Sequence, residues 1–282
     1  MDTLDTYIDG VRTLPPAPRI LTEMLGLLKD SNSDASRIVE LVTFDPALTA
    51  KVLQRCNNAA AGLAQPVYHL PDAVTLLGFN EIYRLVAVVV CNSALGLAQK
   101  GYGMLTGELW RHSVVTAVAA KVLARSLGQD ENLVFTAALL HDIGKLVLST
   151  SVADAYTDVA REITLSGHSF LEAEKTILGV EHAEIGGRIL SRWNFPENLV
   201  MAVSCHHDPL RGRPYEQLAA CVYIGDMIAH MMGHGHGHQA NAVRGRSEAL
   251  QMLEITPRDI ETYIIETDTA LKAANWFTNT EP

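Results

Sequence analysis

The sequence predicts an all-α protein in two helical halves, and three observations carry that reading. Apolar residues recur at intervals of three and four through nearly every segment. Proline, aspartate, asparagine and glycine fall where such segments should start and stop. No segment alternates apolar and polar residues as a half-buried strand does.

The elements follow in chain order. After the proline-rich lead-in Leu14-Pro15-Pro16-Ala17-Pro18, residues Ile20, Leu21, Met24, Leu25 and Leu28 form one apolar stripe. Asp34 is placed to cap a second short helix carrying Ile38, Val39 and Val42. Asp45-Pro46 sets a capping side chain before a proline at the first helical position, opening a helix with Leu48, Val52 and Leu53. A further helix starts near Leu70-Pro71-Asp72 and stops at Gly78, and Asn80 then caps the apolar run through Val90. Gly101, Gly103 and Gly107 make 99–107 the softest stretch. It reads as the connection between an N-terminal helical lobe over 1–100 and a second lobe over 101–282.

In the second lobe the spacing predicts helices from about Gly107 to Leu127 and from about Asn132 to Thr150. Others open at His182 and end before Pro196, close at His206-His207, and run from about Tyr215 to Met232. Gly233-His234-Gly235-His236-Gly237-His238 reads as a low-complexity loop without a shaped site. Thr256-Pro257 caps a last helix bearing Ile260, Ile264 and Leu271.

Composition narrows the function classes. With 282 residues, 48% apolar and 19% charged, the chain can bury a sizeable core. A formal charge of −10 and no run of basic residues exclude the electrostatic footprint of a nucleic-acid binder. Cys56, Cys91, Cys205 and Cys221 lie far apart with no Cys-x-x-Cys spacing, which fits reduced thiols in a cytoplasmic protein. The start Met1-Asp2-Thr3-Leu4-Asp5 lacks the basic and apolar regions of a signal peptide. The longest apolar run, Leu85 to Cys91, is too short to span a bilayer, so no membrane partner is expected.

The chemistry centres on His141-Asp142, set in the apolar stretch Leu139 to Leu146. A carboxylate buried there costs several kcal/mol unless a cation or hydrogen bonds compensate it. Glu108 and His112, four apart, lie one turn from each other on one helix face. Lys145 follows three and four residues after the His-Asp pair, on the same side, where it can approach a bound phosphate. His182, His206, His207 and Asp226 complete eight candidate ligands with Glu108, His112, His141 and Asp142. A single zinc ion needs three or four, so this inventory suits two divalent ions with mixed nitrogen and oxygen ligation. Such a pair can activate water and clamp a phosphoryl group. Iron, manganese, zinc and nickel are not distinguished by these residue types. A first-turn glutamate such as Glu108 also suits the helix dipole, and Asp226 also suits a hydrogen bond to a ligand histidine. His69 and His168 read as core histidines.

The stretch Leu139 to Leu146 resembles the signature of the HD superfamily of metal-dependent phosphohydrolases. The chain from about Leu14 to Pro209 is similar to HDOD domains, a bacterial signalling branch of that superfamily. The points of likeness are Leu14-Pro15-Pro16, Asp45-Pro46-Ala47-Leu48, Cys56-Asn57-Asn58-Ala59 and Ala73-Val74 followed by Leu77-Gly78. They continue with His182-Ala183-Glu184-Ile185-Gly186, Trp193-Asn194-Phe195-Pro196 and His206-His207. The resemblance implies an HD-type helical bundle in the second lobe and a role in signal transduction through protein contacts. The set Glu108, His112, His141, Asp142, Lys145, His182, His206, His207 and Asp226 also resembles that of the HD-GYP phosphodiesterases of cyclic di-GMP. Their Gly-Tyr-Pro motif is missing; His207 is followed by Asp208-Pro209-Leu210-Arg211-Gly212.

Three functions stay open on these grounds. One is a regulatory module that keeps a two-metal site and passes its state to a signalling protein partner, with a two-component pathway as the setting. Another is an active metal-dependent phosphohydrolase, in which Asp142 and Lys145 would be catalytic and the small ligand would contain phosphate. The third is a scaffold whose polar cluster is a metal-free hydrogen-bond network.

Overall fold

The computed structural model describes residues 3–11, 18–29, 35–43, 45–59, 67–151, 155–166, 169–235 and 247–273. Residues 14–17, 34, 168 and 236–238, on which the proline-rich lead-in, one helix cap, a core histidine and the end of the glycine–histidine run were placed, lie outside them. The described residues are helical, with no strand among them beyond an isolated bridge between Gln99 and Met104. The chain divides into two compact units, Ala17–Val90 and a second made of Met1–Pro16 with Cys91–Pro282.

The N-terminal segment forms α1 (Thr3–Gly10). The unit Ala17–Val90 then contains α2 (Arg19–Lys29), α3 (Ala35–Thr43), α4 (Pro46–Ala59), α5 (Leu70–Leu77) and most of α6 (Phe79–Leu95). Of the apolar residues read from the sequence, Leu21, Met24, Leu25, Ile38, Val42, Leu48 and Val52 are buried in its core, joined by Val74 and Ile82, while Ile20, Leu28, Val39 and Leu53 are half-buried. Asp45 caps α4 as its position implied, accepting from the Leu48 amide at 3.1 Å. Asn57 donates to the Val67 carbonyl at 3.0 Å and accepts from its amide at 2.7 Å. Gly78, at φ 77°, ends α5. His69 is not a core residue: it is exposed, at the position before α5.

In the other unit α7 (Glu108–Ser126) is buried on nearly every side, because α8 (Glu131–Leu140), α14 (Glu216–Ala229) and α16 (Pro257–Ala273) pack around it. Between α8 and α14 the chain forms α9 (Gly144–Ser151), α10 (Ala155–Ser166), α11 (Phe170–Leu178), α12 (His182–Arg192) and α13 (Glu197–Ser204). α15 (Ser247–Met252) precedes α16. Asp130 caps α8 through the amides of Asn132 and Leu133, both at 3.0 Å. Thr256 and Asp259 form a reciprocal cap on α16, with bonds of 2.8 and 3.3 Å. Glu131–Thr150 is apolar and long enough to cross a bilayer by composition, but 94% of it is buried inside the protein.

The stretch 99–107, expected to be soft, is ordered. Gln99 and Met104 exchange backbone hydrogen bonds of 3.0 and 3.1 Å around a turn whose Tyr102 is fully buried. The glycines at 103 and 107 supply the positive φ that this turn and the start of α7 need. α1 packs on α9 and α12. Arg188 donates to Asp5 with two bonds of 2.8 and 2.7 Å, and Arg192 reaches Asp5 and Asp9 at 2.8 and 2.7 Å.

Candidate metal centre

Four helices and two turns of the larger unit deliver the side chains. α7 supplies His112 one turn after its start, the turn between α8 and α9 supplies His141 and Asp142, and α9 supplies Lys145 in its first turn. α12 begins with His182, the turn after α13 carries His206 and His207, and α14 carries Asp226. The predicted single helix over 132–150 is broken at the His-Asp pair. Residues 141–143 form a tight turn with bonds from the Ile143 amide to the Leu140 carbonyl and from the Lys145 amide to the Asp142 carbonyl, both 3.0 Å. Neighbours on an unbroken helix would diverge by about 100°; the turn lets both side chains face one centre.

Glycines set how closely the elements approach. A Cβ on Gly144 would stand 1.9 Å from the His182 carbonyl oxygen and 2.8 Å from the Gly186 nitrogen. Only glycine lets α9 meet α12 there, and that contact brings His182 to Asp142. A Cβ on Gly225 would stand 2.8 Å from the Ala120 methyl and 2.9 Å from the Thr116 carbonyl oxygen. The same closeness between α14 and α7 puts Asp226 beside His112.

The two oxygens of Asp142 face opposite groups. Oδ2 lies 3.3 Å from His141 Nε2 and 3.6 Å from His112 Nε2, and it accepts from the Lys145 ammonium. Oδ1 lies 3.2 Å from His182 Nε2. Asp226 Oδ1 is 3.0 Å from His112 Nε2 and 3.9 Å from His141 Nε2. His207 Nε2 stands 2.9 Å from His182 Nε2. Ligand atoms of His112, His141 and Asp142 lie within 4.8 Å of one another, as do those of His182, His206 and His207. Exposure is 5% or less for His112, His141, Asp142, Lys145, His182, His206 and Asp226, so the charges sit away from water. His207 is the partly exposed member.

The outer nitrogens explain which atoms face inward. Nδ1 of His141 lies 2.7 Å from the Ala138 carbonyl, that of His206 2.7 Å from the Val203 carbonyl, and that of His112 3.1 Å from the His234 carbonyl. Nδ1 of His182 lies 2.8 Å from Glu174 Oε2. A carbonyl can only accept, which assigns the proton to Nδ1 of His141, His206 and His112 and turns a lone pair at Nε2 toward the centre. Asp142 Oδ1, Asp226 Oδ1 and His206 Nε2 are buried with no hydrogen-bond partner among the described residues. Converging lone pairs and orphaned carboxylate oxygens repel unless a cation lies between them. The donor set therefore fits divalent metal, with imidazoles oriented from behind as ligand histidines commonly are.

The electrostatics describe the centre with protons on the imidazoles that an ion would displace. Burial pushes the Asp142 carboxyl up, but the charges of His141 and Lys145 outweigh it and hold it well below the usual range. Asp226 is held down in the same way against its burial, by the hydrogen bond and charge of His112. Both are ionised at neutral pH. Burial, with His141 and His182 alongside, pushes His206 down to about 3, leaving a neutral lone-pair donor. Burial alone would lower His182, yet the Glu174 charge and the Asp142 hydrogen bond push it up to about 9.

Glu108 is in none of the groups whose ligand atoms converge. Its carboxylate accepts from the Leu105 amide at 2.7 Å, capping its own helix. Two residues not singled out in the sequence join the centre. Glu174, fully buried, accepts from the His182 ring and from its amide at 3.0 Å, and also from the Tyr102 hydroxyl. Nothing in sequence spacing marks it, since it comes from α11. His230 lies 3.4 Å from Asp226 Oδ1, four residues downstream; that interval on a helix face was the available signal.

A model of the HDOD domain matches residues 14–209. The chain is 25% identical over 226 residues to an uncharacterized protein of Treponema pallidum, covering 78% of this chain and 42% of that one. It is 26% identical over 236 residues to ribonuclease Y of Thermus thermophilus, covering 84% of this chain and 33% of that protein. The chain thus spans less than half the length of these relatives. An HDOD domain protein of unknown function from Geobacter sulfurreducens shares the fold at TM-score 0.69 and 23% identity, over 94% of this chain and 87% of that one. A provisionally named signal transduction protein from Marinobacter aquaeolei does so at TM-score 0.74 and 21% identity, over 99% of this chain and 67% of that one.

Proposed function

Because this chain belongs to the HDOD family, we propose that it is a cytoplasmic regulatory module of bacterial signal transduction whose His/Asp centre holds two divalent ions. Its output is a contact with a signalling protein partner, with a two-component pathway as the setting. In this reading the compact unit Ala17–Val90 serves partner contact and the unit that carries the His/Asp centre serves metal binding. The carrying observation is the meeting of inward Nε2 atoms with the orphaned oxygens of Asp142 and Asp226 in a buried centre. One ion belongs to His112, His141, Asp142 and Asp226; the other to His182, His206 and His207, with Asp142 between them. The deep burial of seven of these side chains, Lys145 included, favours a regulatory centre over an open catalytic cleft.

The second reading, a metal-dependent phosphohydrolase, is favoured by Lys145. Its ammonium sits on Asp142 and 5.6 Å from the centre of the Tyr102 ring, where it can hold a phosphate in place. Bound divalent ions would supply Lewis acidity toward that phosphate. A net charge of −10 weighs against RNA as the ligand, although some relatives carry the name ribonuclease Y. A phosphate-containing small molecule fits both readings.

Protein stripped with chelator and reloaded with iron, manganese or zinc is expected to retain two ions per chain by elemental analysis. Uptake below one ion per chain overturns the metal reading and leaves the scaffold. Turnover of a cyclic dinucleotide or a generic phosphodiester that disappears in Asp142→Ala and Lys145→Ala would replace the regulatory reading with the enzymatic one.

A further inference from the structure

We propose that His230 is a fifth protein ligand of the ion assigned above to His112, His141, Asp142 and Asp226, and that Gly235 is what leaves room for its ring. The inference rests on the two-ion reading and adds an asymmetry between the ions.

His230 Nε2 is 3.4 Å from Asp226 Oδ1, and the His230 and His112 rings lie 5.1 Å apart between centroids. Ligand atoms of His112, Asp226 and His230 all fall within 4.8 Å of one another. His112 also belongs to the group with His141 and Asp142. Its Nδ1 is taken by the His234 carbonyl, so a single Nε2 lone pair remains, and one lone pair binds one ion. Groups that share that atom are parts of one coordination sphere. Around an ion with bonds of about 2.1 Å, adjacent donors stand roughly 3 Å apart and opposite ones roughly 4 Å. Five of the ten separations among these residues, 3.0, 3.3, 3.4, 3.6 and 3.9 Å, fall in that interval; the two groups do not merge into one within 4.8 Å, so a shared ion would draw their donors together.

The backbone after His230 is shaped for this. Gly233 turns the chain at φ 82°, which places the His234 carbonyl on His112. Gly235 then passes against the back of the His230 ring: a Cβ there would be 2.0 Å from Nδ1 and 2.7 Å from Cε1. Any side chain at 235 displaces the imidazole. Five protein donors leave this ion one free position at most in a six-coordinate sphere. The ion at His182, His206 and His207, beside the partly exposed His207, keeps the room a phosphate needs.

The test titrates chelator-stripped protein with zinc against a chromophoric chelator and records the visible absorption of the cobalt form. Wild type, His230→Gln, Gly235→Ala and Met231→Ala are compared, Met231 being 60% exposed and outside the centre. The expected result is two ions in each protein, with one bound about tenfold or more weaker in His230→Gln and Gly235→Ala and its cobalt spectrum changed. Met231→Ala should match wild type. If His230→Gln does not fold by circular dichroism, Gly235→Ala, which removes no ligand, decides by the same readouts. Unchanged affinities and spectra in both variants overturn the inference while leaving the two-ion reading intact. A third ion in wild type that His230→Gln loses overturns it as well, since His230 would then serve a separate ion. Fewer than one ion in wild type fails the two-ion reading itself, and this inference with it.

Discussion

Asp142 and Glu174 illustrate how a buried carboxylate is made tolerable in two different ways. Asp142 turns one oxygen to His112, His141 and Lys145 and the other to His182, so it lies between both groups of imidazoles. Asp142→Asn keeps the shape and removes the charge, and is expected to lower metal content from two ions to one or none by elemental analysis. Glu174 orients His182 from behind and satisfies the Tyr102 hydroxyl. Glu174→Gln is therefore expected to weaken one ion about 10–100-fold with the fold retained. Glu174→Ala, which removes the acceptor of the buried His182 ring nitrogen, should cost a further ~1–3 kcal/mol in urea denaturation. Equal metal affinity in wild type and Glu174→Gln would show that His182 needs no such support.

At the level of elements, two contacts decide whether the centre assembles. Gly144→Ala drives a methyl group into the His182 carbonyl, an atom that cannot move without displacing α12. The substitution should cost at least ~1–3 kcal/mol in denaturation and reduce metal content together with stability. Ion pairs from Arg188 and Arg192 to Asp5 and Asp9 tie α1 to α12. The Arg188 hydrogen bond, with that of Arg192 and both charges, holds the Asp5 carboxyl well below its usual range against an opposing effect of desolvation. A depressed carboxyl stabilises the attachment above its unfolded value of about 4, and that contribution is lost as pH falls through its folded value. Amide protection in α1, corrected for intrinsic exchange, should fall on acidification below about pH 4, and Arg188→Ala should lower it already at neutral pH. Protection insensitive to both would mean that apolar packing, not these ion pairs, holds α1.

For the molecule as a whole, the metal reading ties stability to ion concentration. Ionised Asp142 and Asp226 face one another's ligands in a dry interior, and a cation removes that repulsion. Free metal at a hundred times its dissociation constant stabilises a native state by ~2.7 kcal/mol. Chelation should accordingly lower the melting temperature, and readdition should restore it; a melting temperature indifferent to chelator would argue for a metal-free network.

The all-helical class, the caps at Asp45 and Thr256, the apolar stripe of α2 to α4, and the inventory of histidines and aspartates were legible in the residues alone. Each depends on local chemistry: periodicity, a capping oxygen, a side chain able to bind metal. The break at His141-Asp142, the ordered turn over 99–107, Glu174 behind His182, and α1 on Arg188 were decided by tertiary structure. In each of these, partners far apart in sequence supply what the local pattern lacks: Glu174 comes from another helix, and Asp5 lies 183 residues from Arg188. His230 falls between the two kinds. Its four-residue step from Asp226 is a sequence signal, but only the approach of α14 to α7 at Gly225 gives that step a third ligand to meet.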